Sequence, residues 1–238
     1  MKYKILLINL GYFSGLNGSL FDYIFKSYRY IFPSRTAIKK IIENLKRIIY
    51  LEEPDIICIV EIRKNQIKAL IDREYNFYDI ETKYLPKSMA RKIPILKNQS
   101  NAFISKKRMN FKKFFIKYGS KKLVYNIELP KKINLIFFHF ALGEKTREKQ
   151  FKDIREMANN REKSIICGDF NTFKGISEIN PLIKNSCLEL RQKNPTFPAF
   201  RPKKAFDIFI TSKNLKTKSR VINSEVSDHL PVMLEIEL

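Results

Sequence analysis

Short apolar runs recur along the chain, each with a polar or charged residue at or near its end. Residues 5–10 are apolar except for Asn9. Residues 55–60 lead into Glu61, residues 133–140 contain His139, and residues 164–168 lead to Asp169 and Asn171. Continuous apolar runs of this length suit strands buried on both faces. Further strands are expected near 102–105, 114–118, 122–129, 207–211, 221–222 and 232–238. Between them lie helical patterns. Ile38, Ile41, Ile42, Leu45, Ile48 and Ile49 line one face of a helix over 36–51, bracketed by Pro33-Ser34 and Pro54. Phe151, Ile154, Met157 and Ala158 give a second inward face over 145–159, and 66–71 and 176–184 also read as helical. Residues 11–34 hold Gly11, Gly15, Gly18 and several aromatics, which predicts an ordered loop with a short helix near 21–30. Residues 84–99, with Pro86 and Pro94, read as a basic loop.

No repeat and no Gly/Ser/Pro-rich linker divides the pattern, so residues 1–238 are expected to form a single domain. The order mixes hairpin-like strand pairs with crossover helices. It predicts an α/β sandwich, two packed β-sheets flanked by helices, which makes four layers.

Charge narrows the partners. The formal net charge is +22, and such a field attracts polyanions: nucleic acid, an anionic membrane surface or phosphorylated small molecules. A Lys/Ile/Asn-rich composition inherited from an AT-rich genome gives the same excess, so the charge supports an anionic substrate without selecting one. The three cysteines include Cys58 and Cys167 inside apolar runs, and no spacing resembles a zinc or redox motif. Free thiols in a reducing, cytoplasmic setting are the expectation. The run at 5–10 is too short for a membrane span and lacks the cleavage site of a signal peptide.

The polar residues at the strand ends carry the chemistry. A carboxylate at the edge of a core is costly unless it is paired, hydrogen-bonded or metal-bound. Asn9, Glu61, His139, Asp169, Asn171, Asp228 and His229 therefore invite one shared site. Carboxylate and amide oxygens form a hard ligand set suited to magnesium or manganese. Two histidines and no cysteine cluster argue against structural zinc. Magnesium would polarise a phosphate, a carboxylate would deprotonate water, and a histidine would stabilise charge or manage a proton. Taken singly, Gly168-Asp169-Phe170-Asn171 also reads as a turn, Ser227-Asp228-His229 as a capped turn, Glu61-Ile62-Arg63 as a helix start, and Asn9 and His139 as satisfied core groups.

In combination and in this order, the landmarks resemble the endonuclease/exonuclease/phosphatase superfamily, the DNase I-like fold. They are the strand ending at Asn9, Pro54-Asp55 through Val60-Glu61, Asn101-Ala102-Phe103-Ile104-Ser105, the strand end His139-Phe140, Gly168-Asp169-Phe170-Asn171, Thr196-Phe197-Pro198, Phe206-Asp207-Ile208-Phe209-Ile210 and Ser227-Asp228-His229-Leu230-Pro231-Val232. The resemblance covers nearly the whole chain. It implies a metal-dependent hydrolase of phosphate esters, with Mg2+ as cofactor and Mn2+ as an alternative. Glu61 would be the principal metal ligand, with Asn9 and Asp228 beside it. Asp169 would activate water, Asn171 hold the phosphate, and Asp207 orient the catalytic His229, while His139 matches a second histidine seen in some branches. Asn101 and Arg147 would contact the substrate phosphate, and Arg147 with Gln150 resembles a family Arg-x-x-Gln element. Thr196-Phe197-Pro198 would shape the wall of the site. Ser100 and the long loop after Leu10-Gly11 depart from the family pattern, and that loop with the stretch from Thr196-Phe197-Pro198 to Arg201-Pro202 looks more like a largely uncharacterised bacterial branch.

Three substrate readings stand. Basic clusters at Lys106-Lys107-Arg108, Lys112-Lys113, Lys121-Lys122 and Arg201 with Lys203-Lys204 would track a nucleic-acid backbone, making the chain a nuclease. The second is a phosphodiesterase or phosphatase acting on lipid headgroups or phosphorylated small molecules, whose aromatic loop 12–32 would either touch a membrane interface or equally pack over the core. The third is a binding module that kept the fold and lost catalysis.

Overall fold

The computed structural model describes residues 2–238. Two six-stranded sheets face one another. The first contains β1 (Lys2–Asn9), β2 (Ile56–Arg63), β3 (Phe77–Thr82), β4 (Gln99–Ser105), β11 (Thr217–Val221) and β12 (Val232–Glu237), in the order β11-β12-β1-β2-β4-β3. The second contains β5 (Asn110–Phe115), β6 (Leu123–Leu129), β7 (Ile133–His139), β8 (Ser164–Asp169), β9 (Leu188–Leu190) and β10 (Asp207–Ser212), in the order β5-β6-β7-β8-β10-β9. The helices are α1 (Leu20–Lys26), α2 (Arg35–Glu52), α3 (Glu144–Asn159) and α4 (Asn180–Ile183).

Alternation along the strands makes the layers. Ile5, Leu7, Cys58, Val60, Leu135, Phe137, Ile165, Cys167 and Phe209 fill the space between the sheets. Their neighbours Leu6, Ile8, Ile57 and Ile59 face outward onto Ile41, Leu45, Ile48 and Ile49 of α2. On the other side Ile136, Phe138 and Ile166 meet Phe151 and Ile154 of α3. The central strands read as continuous apolar runs because both of their faces are covered. Ser34 starts α2, its hydroxyl accepting a hydrogen bond from the Ala37 amide, and Glu53 ends it in the left-handed conformation.

Each sheet has one parallel pair at its centre, β1 with β2 and β7 with β8. A parallel pair needs a crossover connection. Residues 10–55 with α2 supply the first and α3 supplies the second. The carboxyl ends of both pairs lie at the same end of the sandwich, which is where open α/β sheets bind ligands. No helix among the described residues is long and apolar enough to cross a membrane.

The expected sandwich is present, and its differences from expectation are local. The strands β3 and β9 were not anticipated: β3 (Phe77–Thr82) lacks a buried apolar run, and β9 is three residues long. The helices expected at 66–71 and 176–184 are largely tight 3-10 turns, with one α-helical turn at α4. The strand expected at 114–118 lies earlier, at Asn110–Phe115 on a sheet edge, where little of it is buried.

Candidate active site

Register assembles one side of the site. His139, Asp169 and Asp207 are direct neighbours across β7, β8 and β10. All three point into the space between the sheets, because His139 continues the row of Phe137, Asp169 that of Cys167, and Asp207 that of Phe209. Gly168 makes this close pairing possible: a Cβ there would stand 1.6 Å from the Phe138 carbonyl oxygen. After Asp169 the chain turns sharply. The Asn171 amide donates to Asp169 Oδ1 at 3.0 Å, and Asn171 takes a positive φ of 51°. One N–H of the Asn171 side chain donates to the Phe140 carbonyl, leaving the other for a ligand. Phe170 anchors the turn against Phe140 and Phe151.

The other sheet contributes Asn9 and Glu61. The Asn9 amide donates to Asp169 Oδ2 at 3.1 Å, tying the two sheets together, and its oxygen accepts the Gly11 N–H. Strict alternation along β2 would turn Glu61 outward, since Val60 faces the other sheet. Instead the register shifts between Ile59 and Ile62, and Glu61 takes a φ of 56°. This bulge is the extra residue that re-aims a side chain. It brings the Glu61 carboxylate to 4.0 Å from His139 Nε2. Glu61 thus lies within the strand, not at its end.

His229 comes from the turn before β12. Its Nδ1 donates to Asp207 Oδ2 at 2.7 Å. Thr196 fixes that carboxylate: its hydroxyl donates to the same oxygen at 2.7 Å and accepts the Phe206 and Asp207 amides. The Phe197 ring packs 4.9 Å from the imidazole. Thr196 therefore does more than shape a wall. It holds the residue that holds the histidine.

Burial sets the electrostatics. Burial, with the neighbouring Asp207 and Glu61, pushes the Asp169 carboxyl well above the ordinary carboxylate range, against the pull of His229 and Lys121. Burial alone would lower His229, but the Asp207 carboxylate outweighs it and pushes His229 up to about 10. His139 goes the other way. Burial, then Lys121 and Lys83, holds it well below the ordinary range, so it is neutral. Its Nδ1 has no hydrogen-bond partner.

Two lysines that the sequence reading did not place in the site converge here. Lys121 Nζ contacts His139 Nε2, and Lys83 Nζ donates to the Tyr12 hydroxyl at 2.5 Å over the Tyr12 and Tyr84 rings. Burial pushes Lys83 down to about 7 and also lowers Lys121, while Glu61 and Asp169 favour both charges. Lys83 lies beside Pro86 in a stretch that reads as a loop, and Lys121 sits in a cluster that reads as surface. Their one sequence signal is position, just after β3 and just before β6.

Of the two expected phosphate contacts, Arg147 is engaged elsewhere and Asn101 lies beside Glu61. Arg147 is buried, and its guanidinium is spent on the Ala141 and Leu142 carbonyls and Glu178. Gln150 accepts the Ala141 amide and donates to the Tyr118 and Lys121 carbonyls. Gln150 therefore ties the loop that carries Lys121 to the loop after β7, which Arg147 clamps. Asn101 sits under the bulge, its oxygen 3.4 Å from the Glu61 amide.

A metal finds donors of the right kind. Glu61 keeps a part-exposed carboxylate, and Asp228 Oδ1 is buried without a hydrogen-bond partner. Hard oxygens of this type fit a magnesium-class ion. Asn9, the third expected ligand, has its oxygen engaged by Gly11. Among the described residues no group of three or more His, Cys, Asp and Glu side chains is gathered to hold a metal. Asp228 Oδ2 accepts the hydroxyls of Tyr23 at 2.9 Å and Tyr30 at 2.7 Å, a latch the sequence did not reveal.

No protein-family model and no curated protein matches the chain. Solved structures do match over its whole length. A humanized D. rerio TDP2 carrying 14 mutations is similar with a TM-score of 0.70 and 14% identity, covering 100% of this chain and 99% of that one. An endonuclease/exonuclease/phosphatase family protein from Leptotrichia buccalis C-1013-b gives 0.68 and 18% identity, covering 99% and 100%. The Bacteroides thetaiotaomicron VPI-5482 mannosyl-6-phosphatase Bt3783 gives 0.67 and 15% identity, also covering 99% and 100%. The chain has the endonuclease/exonuclease/phosphatase fold.

Proposed function

We propose that the chain is a hydrolase that cleaves a phosphate ester by attack of water, with Asp169 as the base and His229 as the cationic partner. The observation that carries this reading is the in-register pairing of Asp169 with Asp207, which sets a buried carboxylate of raised pKa beside a histidine held protonated. Strongly shifted titratable groups held side by side in a buried site are candidates for acid and base roles. The similarity in fold to a mannosyl-6-phosphatase supports the same chemistry.

The roles follow from position. Asp169 takes the proton of the attacking water. Asn9 and the Asn171 amide hold that carboxylate in place. His229, fixed by Asp207 and Thr196, stabilises charge on the non-bridging oxygens. Lys83 and Lys121, held down by burial, would take on positive charge beside an anionic substrate, and His139 stays neutral between Lys121 and Asp169. Glu61 and Asp228 would hold a magnesium ion, which when bound would neutralise the phosphate and polarise the leaving oxygen.

Nucleic acid is supported as substrate by the net charge of +22. Of the basic clusters, Lys121 reaches the site, whereas Lys106-Lys107-Arg108 lie with Lys2 and Asp55 at the opposite end of the sandwich. A second reading, a headgroup phosphoester, is favoured by one specific feature, the exposed apolar face of the segment latched to Asp228.

The test is hydrolysis by purified protein with magnesium. Plasmid DNA, single-stranded DNA, RNA, a phosphoinositide panel and a soluble aryl phosphodiester are presented in parallel, with Asp169→Asn as the control. Turnover that vanishes in the control supports the assignment. Turnover that survives Asp169→Asn and His229→Ala together overturns it.

A further inference from the structure

The segment between β1 and α2 carries an apolar face with nothing packed on it. Leu20, Phe21, Ile24, Phe25, Tyr28 and Phe32 are 56–75% exposed. Leu20, Phe21, Ile24 and Phe25 fall at the spacing that puts them on one side of α1, and the Phe21 and Phe25 rings touch at 4.8 Å between centroids. The opposite side of the same segment is not loose. Ser19 caps α1 by accepting the Asp22 amide, Asp22 is buried, and Tyr23 and Tyr30 donate to Asp228. Arg63 binds the Tyr30 and Ile31 carbonyls. The face is thus held outward by contacts that run directly into the site. Isolated exposed apolar side chains are ordinary, but a contiguous set of this size marks an interaction surface.

Charge says what covers it. Behind α1 a groove is lined by Lys26, Arg29 and Lys40, with Asn17, Ser34 and Thr36 as hydrogen-bonding groups. Its carboxylates are Asp22 and Glu225. Asp22 is neutralised by Lys26 at 2.7 Å and accepts the Asn17 amide. Against Glu225, Arg29 and Lys40 leave one positive charge in excess, and Arg35 lies exposed at the start of α2. An apolar face bordered by cations is the pattern of a segment that lies in a bilayer interface, its aromatic and aliphatic side chains among the acyl chains and its cations among anionic headgroups.

We propose that residues 20–32 are a docking face for an anionic phospholipid bilayer, with the groove of Lys26, Arg29 and Lys40 receiving a headgroup phosphate. Because Tyr23 and Tyr30 are latched to Asp228, docking sets the mouth of the site against the lipid surface. This deepens the headgroup reading above and rests on it for the chemistry but not for the binding.

The experiment is sedimentation of the full chain with vesicles of phosphatidylcholine alone and of phosphatidylcholine with phosphatidylglycerol, at low and high salt. Hydrolysis of a soluble aryl phosphodiester is measured on the same preparations. Two variants are compared: Leu20→Ser/Phe21→Ser/Ile24→Ser/Phe25→Ser, which changes exposed side chains alone, and Arg29→Gln/Lys40→Gln. Binding to the anionic vesicles should exceed binding to neutral ones at least tenfold and weaken with salt. The four-residue variant should lose it at least tenfold while its soluble hydrolysis stays within twofold of the parent. The two-residue variant should lose the preference for anionic lipid.

Equal binding by parent and four-residue variant, or no preference for the anionic vesicles, overturns the proposal. So does concentration-dependent self-association that the four-residue variant abolishes while vesicle binding is absent, because the face is then covered by a second copy. Vesicle binding without hydrolysis of any phosphoester would leave the docking face standing and remove the catalytic reading, so the two fail separately.

Discussion

The two crossover connections of this sandwich solve the same topological problem in opposite ways. Between β7 and β8, α3 buries Phe151, Ile154 and Ala158 against the sheet. The loop before it is clamped by Arg147 and Gln150. Between β1 and β2, α2 covers the sheet in the same manner, but the chain first runs through residues 11–34 and leaves an apolar face in solvent. The side of the site fed by β7 and β8 is correspondingly closed: Asp169, His139 and Asp207 are almost wholly buried. The side fed by β1 and β2 keeps Glu61 part-exposed and Asp228 tied to two tyrosines on a surface segment. On the proposed mechanism this difference would separate chemistry from selection: the acid–base pair would sit in the closed half, and the groups that meet a substrate on the connection with the exposed face.

That division makes graded predictions. Asp169→Asn in the closed half should lower kcat by about 10²–10⁴-fold, the range for loss of a positioned base. Its melting temperature should match or exceed the parent's, because a buried carboxylate of raised pKa is removed. A large loss of stability without loss of turnover would break the comparison.

Chelating divalent cations should lower the rate by about 10²-fold, and magnesium should restore it, as expected when several kcal/mol of charge stabilisation are withdrawn. Asp228→Asn should raise the magnesium concentration needed for half-restoration by about tenfold. Titrating both proteins with magnesium checks this.

Thr196→Val removes the hydroxyl that donates to the Asp207 carboxylate and accepts the Phe206 and Asp207 amides, and leaves the carboxylate less well held. A cost of about 1–3 kcal/mol for a buried group losing its partner translates to a rate loss of about tenfold or more.

The pH profile follows from the same half. Asp169 must be deprotonated and is raised, so the rate climbs with pH only above the ordinary carboxylate range. His229 must be protonated and is raised to about 10, so the rate falls as pH passes that value. Asp207→Asn withdraws the cause and should move the alkaline limb downward.

The smallest effect belongs to the open half. Tyr30→Phe leaves Asp228 its bond from Tyr23, and turnover of a soluble substrate should change by about threefold or less, in line with one hydrogen bond worth roughly 1 kcal/mol or under. A loss as large as that of Asp169→Asn would show that the strap takes part in the chemistry and would erase the distinction.

The sequence made the closed half legible and the open half hardly at all. Gly168-Asp169-Phe170-Asn171 and Ser227-Asp228-His229 are local, because turn geometry forces specific residues next to the candidate ones. Glu61 was found, but its bulge was not, since an inserted residue leaves the apolar run unbroken and shows only as a change of face. Arg147 matched a motif, yet its burial against Glu178 depends on a loop 31 residues away. Lys83 and Lys121 were hidden by composition: in a chain this rich in lysine, two buried ones look like all the rest. Tyr23 and Tyr30 meet Asp228 across about 200 residues, a separation that no local pattern encodes.

The row His139–Asp169–Asp207 has a bearing on quality control of the chain itself. A sheet slipped by one residue would keep nearly all its backbone hydrogen bonds while sending alternate side chains to the opposite face. Such a molecule would pass for folded by most bulk measures, yet its imidazole and carboxylates would be scattered between the core and α3. If the proposed chemistry holds, turnover would be a gauge of alignment as well, and in a preparation trapped partly out of register the active fraction would count the correctly threaded molecules.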